Sequence, residues 1–172
     1  MEKIAKLIKN AMMLKRVERS GWKRTGMAKV ESVAEHTFML AFLAMVIGDE
    51  LKMDVEKMMK MALLHDLAEA ITGDITPHEM EKKRKQEMES KATEKLLEDF
   101  EDYRNLWHEF VEGSSMEAKM VREMDKAEMV IQAGEYTREY GVEKFMEFIE
   151  ERNKVENPLL LSIINHFLEP LR

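Results

Sequence analysis

The 172-residue sequence holds a His-Asp pair in an unusual place. His65 is followed directly by Asp66 inside an otherwise apolar stretch, Met61-Ala-Leu-Leu-His-Asp-Leu-Ala-Glu-Ala-Ile71. Burying a charge without a partner is costly, so the pair in mid-face asks for one. Glu69 stands four residues after His65 and three after Asp66, so on a helix all three side chains can converge. His36 opens a second apolar run, Phe38 to Ile47, and Asp125 lies between Met124 and Ala127 with Glu128 one turn on. Only seven acidic residues are Asp, and three of them, Asp66, Asp74 and Asp125, occupy these contexts. A short, stiff carboxylate suits metal ligation or a fixed hydrogen bond. Each feature also has a plainer reading. His65-Asp66 alone fits a satisfied buried pair, and His78, His108 and His166 read as satisfied core histidines. The methionines at 58, 59, 61, 120, 124 and 129 read as packing. Glu79 to Glu89 reads as a solvated face, and Trp22 as a structural aromatic in a loop.

Helices must position these residues. Ile4, Leu7, Ile8, Ala11 and Met12 form one apolar face. The segment from Gly21 to Val30 reads as a loop. Ser32 with Glu35 is a capping box that predicts a helix over Val33 to Leu51. Asp54 predicts the next N-cap, with a helix running through His65 to about Ile71, broken at Gly73. Residues 73–78 form a loop. A long exposed helix follows, then a second from about Tyr103. Ser114 with Glu117 predicts another capping box and a helix to about Tyr140. Residues 142–151 form a further element. Asn157 with Pro158 opens a last helix to about Leu168. No segment alternates long enough for a strand. The expectation is an all-α helical bundle in a single domain over 1–172, with the site in the bundle core and 141–172 packing on it.

Composition narrows the function. At 172 residues the chain is about one domain and large enough for a real core. A net charge of −7 and a pI near 5.4 exclude a non-specific nucleic-acid binder, but not binding of one small phosphorylated molecule. Without cysteine, disulfides, thiol nucleophiles and Cys-ligated zinc are excluded, so any metal must sit on His, Asp and Glu. The longest apolar run is far shorter than the roughly 20 residues of a bilayer span, and the N-terminus lacks a signal-peptide pattern, so a cytoplasmic location is expected. With 27 Glu and 18 Lys against two Gln, the bias resembles heat-adapted proteins, although 17 Met run against it.

The arrangement as a whole carries a resemblance. His36, 28 residues, His65-Asp66, 58 residues and Asp125 resemble the H…HD…D set of the HD-domain metallophosphohydrolases. Three blocks in order, Glu31-Ser-Val-Ala-Glu-His-Thr, His65-Asp-Leu-Ala-Glu-Ala-Ile-Thr-Gly-Asp-Ile and Glu117-Ala-Lys-Met-Val-Arg-Glu-Met-Asp-Lys-Ala-Glu-Met, resemble the 5′-deoxynucleotidase branch, over roughly residues 14–140. The resemblance implies a divalent cation on His36, His65, Asp66 and Asp125. An N/O set of this kind suits Mn²⁺, Co²⁺, Fe²⁺ or Zn²⁺ better than Ca²⁺, and Mg²⁺ stays among the options. It implies that a metal-activated water attacks the phosphorus of a deoxyribonucleoside 5′-monophosphate. Glu69 and Asp74 are implied as catalytic residues, or, with the Ile75 carbonyl, as ligands of a second cation. An Arg and a Trp before the first His are implied to meet phosphate and sugar. Trp22 lies 14 residues before His36, at the expected offset. In the bacterial branch the Arg directly precedes the Trp, whereas here Gly21 does, so Arg19 is the substitute, with Arg16, Lys23 and Arg24 competing. A homodimer is expected by analogy.

Other HD chemistries remain open. These are a deoxynucleoside triphosphate triphosphohydrolase, a cyclic-nucleotide phosphodiesterase or a (p)ppGpp hydrolase. Outside catalysis, a helical module that binds metal or nucleotide is the alternative.

Overall fold

The computed structural model describes residues 1–169. They fold into helices α1 (Glu2–Ala11), α2 (Ser20–Lys23), α3 (Val33–Leu51), α4 (Val55–Leu64), α5 (Glu69–Thr72), α6 (Lys82–Leu96), α7 (Glu101–Glu112), α8 (Met116–Tyr140), α9 (Met146–Glu150) and α10 (Pro158–Leu168). Short 3-10 segments join some of them. No strand forms among the described residues; one antiparallel bridge pairs Glu18 with Ser32. The expected all-α bundle is the observed architecture, and no described helix is long and apolar enough to cross a membrane.

The caps explain the helix starts. Ser32 accepts from the Glu35 amide while the Glu35 carboxylate accepts from the Ser32 amide, which is the reciprocal box. Asp54 accepts from the Lys57 amide, and Asn157 from the amides of Leu159 and Leu160. The second expected box gives way to a simple cap one residue later: Ser115, not Ser114, accepts from the Ala118 amide. The preceding Gly113 takes the left-handed conformation that ends α7, which leaves Ser114 in the connection.

The core is built where α3, α4 and α8 meet. Leu40, Ala44 and Ile47 pack on Met58 and Met61 and on Val121, Met124 and Val130, with Leu160 and Ile164 of α10 closing the cluster. The methionine reading holds for Met58, Met61 and Met124, which are fully buried. The apolar face expected of α1 is only half used. Leu7 and Ala11 pack inward, whereas Ile4, Ile8 and Met12 stay exposed.

Two further expectations change. The loop from Gly21 to Val30 contains the end of the short helix α2. The single helix expected from Asp54 to Ile71 is interrupted, since α4 ends at Leu64 and α5 begins at Glu69. Between them the amides bond three residues back, Leu67 to Leu64 and Glu69 to Asp66, so the backbone tightens at the His-Asp pair.

Candidate metal centre and substrate cleft

The break at the end of α4 frees carbonyls, and side chains take them up. His65 Nδ1 donates to the Ala62 carbonyl at 2.7 Å, and the Trp107 indole donates to the His65 carbonyl at 3.3 Å. A carbonyl only accepts, so His65 carries its proton on Nδ1 and turns Nε2 inward. His36, in the second turn of α3, is treated alike. Its Nδ1 meets the Glu128 carboxylate of α8 at 2.5 Å, and its Nε2 faces inward.

The two Nε2 atoms lie 3.2 Å apart. With both Nδ1 protons committed outward, either a proton or a cation must sit between them. Asp66 Oδ2 lies 2.9 Å from His65 Nε2 and 3.9 Å from His36 Nε2, and Asp125 Oδ1 lies 3.1 Å from His36 Nε2. His36, His65 and Asp66 present ligand atoms all within 4.8 Å of one another, a group that could hold a metal ion. Asp125 touches this trio through His36 from α8 but is not part of its tight grouping. The donor set therefore fits a divalent cation, and the electrostatics agree. Burial and the nearby Arg19 pull the His36 imidazole down, but Asp125 and Glu128 outweigh them and raise it to about 10. The site collects positive charge. Burial opposes the ionised form of Asp66, yet His65 and Arg19 hold its carboxyl well below the usual range.

Around this cluster opens a cleft of about 580 Å³, within the usual range for small-molecule sites. Glu69 and Asp74 line it with Asp66 and Asp125. Glu69 is 2% exposed, and its Oε2 has no hydrogen-bond partner. Burial, then Asp66 and Asp74, push the Glu69 carboxyl up to about 10. Asp74 is anchored from α2: the Ser20 amide donates to Oδ2 at 2.7 Å and the Ser20 hydroxyl to the Asp74 carbonyl at 2.6 Å. Ile75 lies beside them on the lining.

Arg19 reaches the cluster, with its guanidinium 3.4 Å from Asp66 Oδ2. Burial works against its charge, but Asp66, Asp74 and Asp125 prevail and raise its pKa. Of the competitors, Arg24 lines the cleft mouth, while Arg16 and Lys23 are not on the lining. Trp22 borders the cleft but is 2% exposed, and its indole donates to Glu31 Oε1 at 2.7 Å.

Two functional neighbours escaped the sequence reading. Glu128 was visible only as a carboxylate one turn after Asp125 on an apolar face, which was the available signal. Lys85 belongs to the run read as solvated, yet it lines the cleft with Nζ 3.6 Å from Glu69 Oε1. The core reading of the other histidines is corrected as well. His78 and His166 are exposed and His108 is half-buried. His78 pairs with Glu147 and His108 with Glu94, so polar partners rather than apolar packing satisfy them.

The HD domain pattern matches residues 11–163. The chain belongs to the HD domain family. Among relatives of this HD-domain chain, the 5′-deoxynucleotidase hdd1 of Schizosaccharomyces pombe is 35% identical over 91% of this chain and 84% of its own length. The human 5′-deoxynucleotidase HDDC2 is 34% identical over 88% of this chain and 78% of its own. Among solved structures, a conserved hypothetical protein from Pyrococcus furiosus superposes with a TM-score of 0.82 at 35% identity, covering 94% of this chain and 96% of that one.

Proposed function

We propose that this HD-domain protein is a divalent-metal-dependent 5′-deoxynucleotidase that removes the 5′-phosphate from deoxyribonucleoside monophosphates. The observation that carries it is a cleft that reaches the His36–His65–Asp66 group through Asp66 and is lined beside it by Asp125, Glu69, Asp74, Arg19 and Lys85. The names of the relatives supply the substrate class.

His36, His65, Asp66 and Asp125 hold the cation in this reading. When bound, it neutralises phosphoryl charge and makes the attacking water more acidic. The remaining work falls to side chains. Arg19, braced against Asp66, offers guanidinium donors to the phosphate, and Lys85 adds a second positive charge. The buried Glu69 carboxyl handles a proton, from the water or to the leaving 5′-oxygen. Asp74, pinned by Ser20, orients the reacting group. With the Ile75 carbonyl these two carboxylates are also the candidates for a second cation. The Trp22 edge limits space near the sugar, which favours deoxy over ribo substrates.

The whole chain acts as one domain in this reading, supported by Leu160 and Ile164 of α10 sharing the core of α3, α4 and α8. A cytoplasmic location goes with this reading, since its substrates are free nucleotides. A homodimer is supported by exposed Phe38, Met39, Phe42 and Val46 along α3; light scattering tests it.

The deciding experiment measures orthophosphate from dAMP, AMP, dATP and a cyclic nucleotide after metal removal and addition of Co²⁺, Mn²⁺, Mg²⁺, Zn²⁺ or Fe²⁺ singly. The expected result is metal-dependent release from dAMP, with AMP and dATP poor. Preferred turnover of dATP or the cyclic nucleotide overturns the branch. Absence of turnover with metal bound makes the protein a binding module. Glu69→Ala should lose roughly 100-fold or more in kcat while keeping metal at the histidines. Near-normal turnover would refute its role.

A further inference from the structure

Two aromatic rings border the substrate cleft, and they are not equivalent. Trp22 is largely enclosed and offers the cleft little of its ring. It is 2% exposed, its N–H is held by Glu31, and Tyr136 packs edge-on to it at 5.3 Å. Phe148 of α9 is half-buried and also on the cleft lining. Its ring centroid lies 4.3 Å from that of Trp22 at an angle of 41°. A β-carbon at Gly21 would stand 3.2 Å from Phe148 Cε1 and 3.6 Å from Cζ. The ring is therefore seated against α2 because position 21 has no side chain. The neighbouring Glu147 fastens α9 on two sides, to His78 at 2.9 Å and to Arg24 at 3.4 Å. Residues 147–154 thus contribute one wall of the cleft.

The cleft has a chemical polarity. Arg19 and Lys85 stand beside the carboxylate cluster, where a phosphate would be held. The rest of the lining includes Met129 and Phe148, with Lys126, Glu151 and Lys154 nearby on α8 and after α9. A nucleotide bound by its phosphate has to lay its base along this second part. We propose that Phe148 is the stacking face for the nucleobase. Every base has a π-face, so stacking on a ring is tolerant of base identity. The device therefore predicts a deoxynucleotidase with weak base preference, and it rests on that functional reading.

The test compares wild type with Phe148→Leu, which keeps apolar bulk over Gly21 and Trp22 but removes the ring, and with Phe148→Tyr, which restores it. Substrates are dAMP, dCMP and the base-free 2-deoxyribose 5-phosphate. Phe148→Leu should raise KM for both nucleotides by about tenfold, within the roughly 5- to 150-fold range of base stacking. Its kcat/KM for the sugar phosphate should not change, and Phe148→Tyr should regain wild-type KM. Equal losses on nucleotide and sugar phosphate would mean that the ring only braces the cleft, and overturn the proposal. So would unchanged KM. If wild type hydrolyses none of the three, calorimetric dAMP binding with the cation present separates the two readings. Binding weakened about tenfold by Phe148→Leu keeps the base subsite while the hydrolytic reading falls. Binding that is absent, or indifferent to Phe148, overturns the subsite too.

Discussion

His65 and His36 each give up one ring nitrogen to fix the other, but to different partners. A backbone carbonyl holds His65, whereas a carboxylate holds His36. The second arrangement adds negative charge behind the ligand and makes the imidazole a better donor. Glu128→Gln keeps an acceptor and removes the charge. The expected outcome is a folded protein whose metal affinity falls by roughly 10- to 100-fold, measured by competition with a chelator. Unchanged affinity would leave Glu128 a packing residue. His36, His65, Asp66 and Asp125 stood out in the sequence because charge among apolar neighbours needs an explanation. Glu128 met that same criterion but looked like one more Glu among 27. Lys85 could not be found this way. Its neighbours in sequence are all polar or charged from Glu81 to Glu87, and its approach to Glu69 depends on how α6 lies against α5.

At the scale of elements, the short segment before α3 does double duty. The Arg19 amide donates to the Glu31 carbonyl, and the Glu31 carboxylate holds Trp22, so α2 is moored to the start of α3. Burial, and then Glu128, push the Glu31 carboxyl from 4.5 to about 7. A raised carboxyl keeps its proton in the folded state after the unfolded chain has lost it. This group's contribution is therefore present in full below about 4.5 and lost as pH rises to about 7. Glu31→Gln still accepts from Trp22 and cannot ionise. Relative to wild type it should gain stability between pH 4.5 and 7 and hold that gain above, in denaturant titrations across that range. A difference that does not vary with pH would contradict the burial argument. The helix starts were legible because a cap is written in three or four adjacent residues. The break between α4 and α5 was not, because the apolar period runs on through Leu64, Leu67 and Ala68. What stops the helix there is tertiary, including the Trp107 indole that takes the His65 carbonyl.

For the whole molecule, the candidate site joins residues far apart in the chain: α2, α3, the α4–α5 break, α8 and α9. Folding gathers Asp66, Glu69, Asp74 and Asp125 around one small volume, so a bound cation should stabilise the native state. At a concentration about 100 times its dissociation constant, that is about 2.7 kcal/mol. For a chain of this size the midpoint should rise by about 5–10 °C. Thermal melts with and without added cation check this. The rise should vanish in His65→Ala, and a rise that persists there would place the binding elsewhere. The bundle was legible from periodicity, and the His and Asp side chains that meet at the candidate site from context. The cleft's far wall was not, since nothing local in residues 142–154 says that this segment returns to α2.

That return couples two positions from opposite ends of the chain. The ring at 148 occupies the space that a side chain at 21 would fill. An arginine at position 21 would direct its side chain at that ring. Glycine at the one position and an aromatic ring at the other are then a matched pair in this fold. A side chain put at 21 would make the ring at 148 give way, so this wall of the cleft can be reshaped from α2 while His36, His65 and Asp66 keep their places.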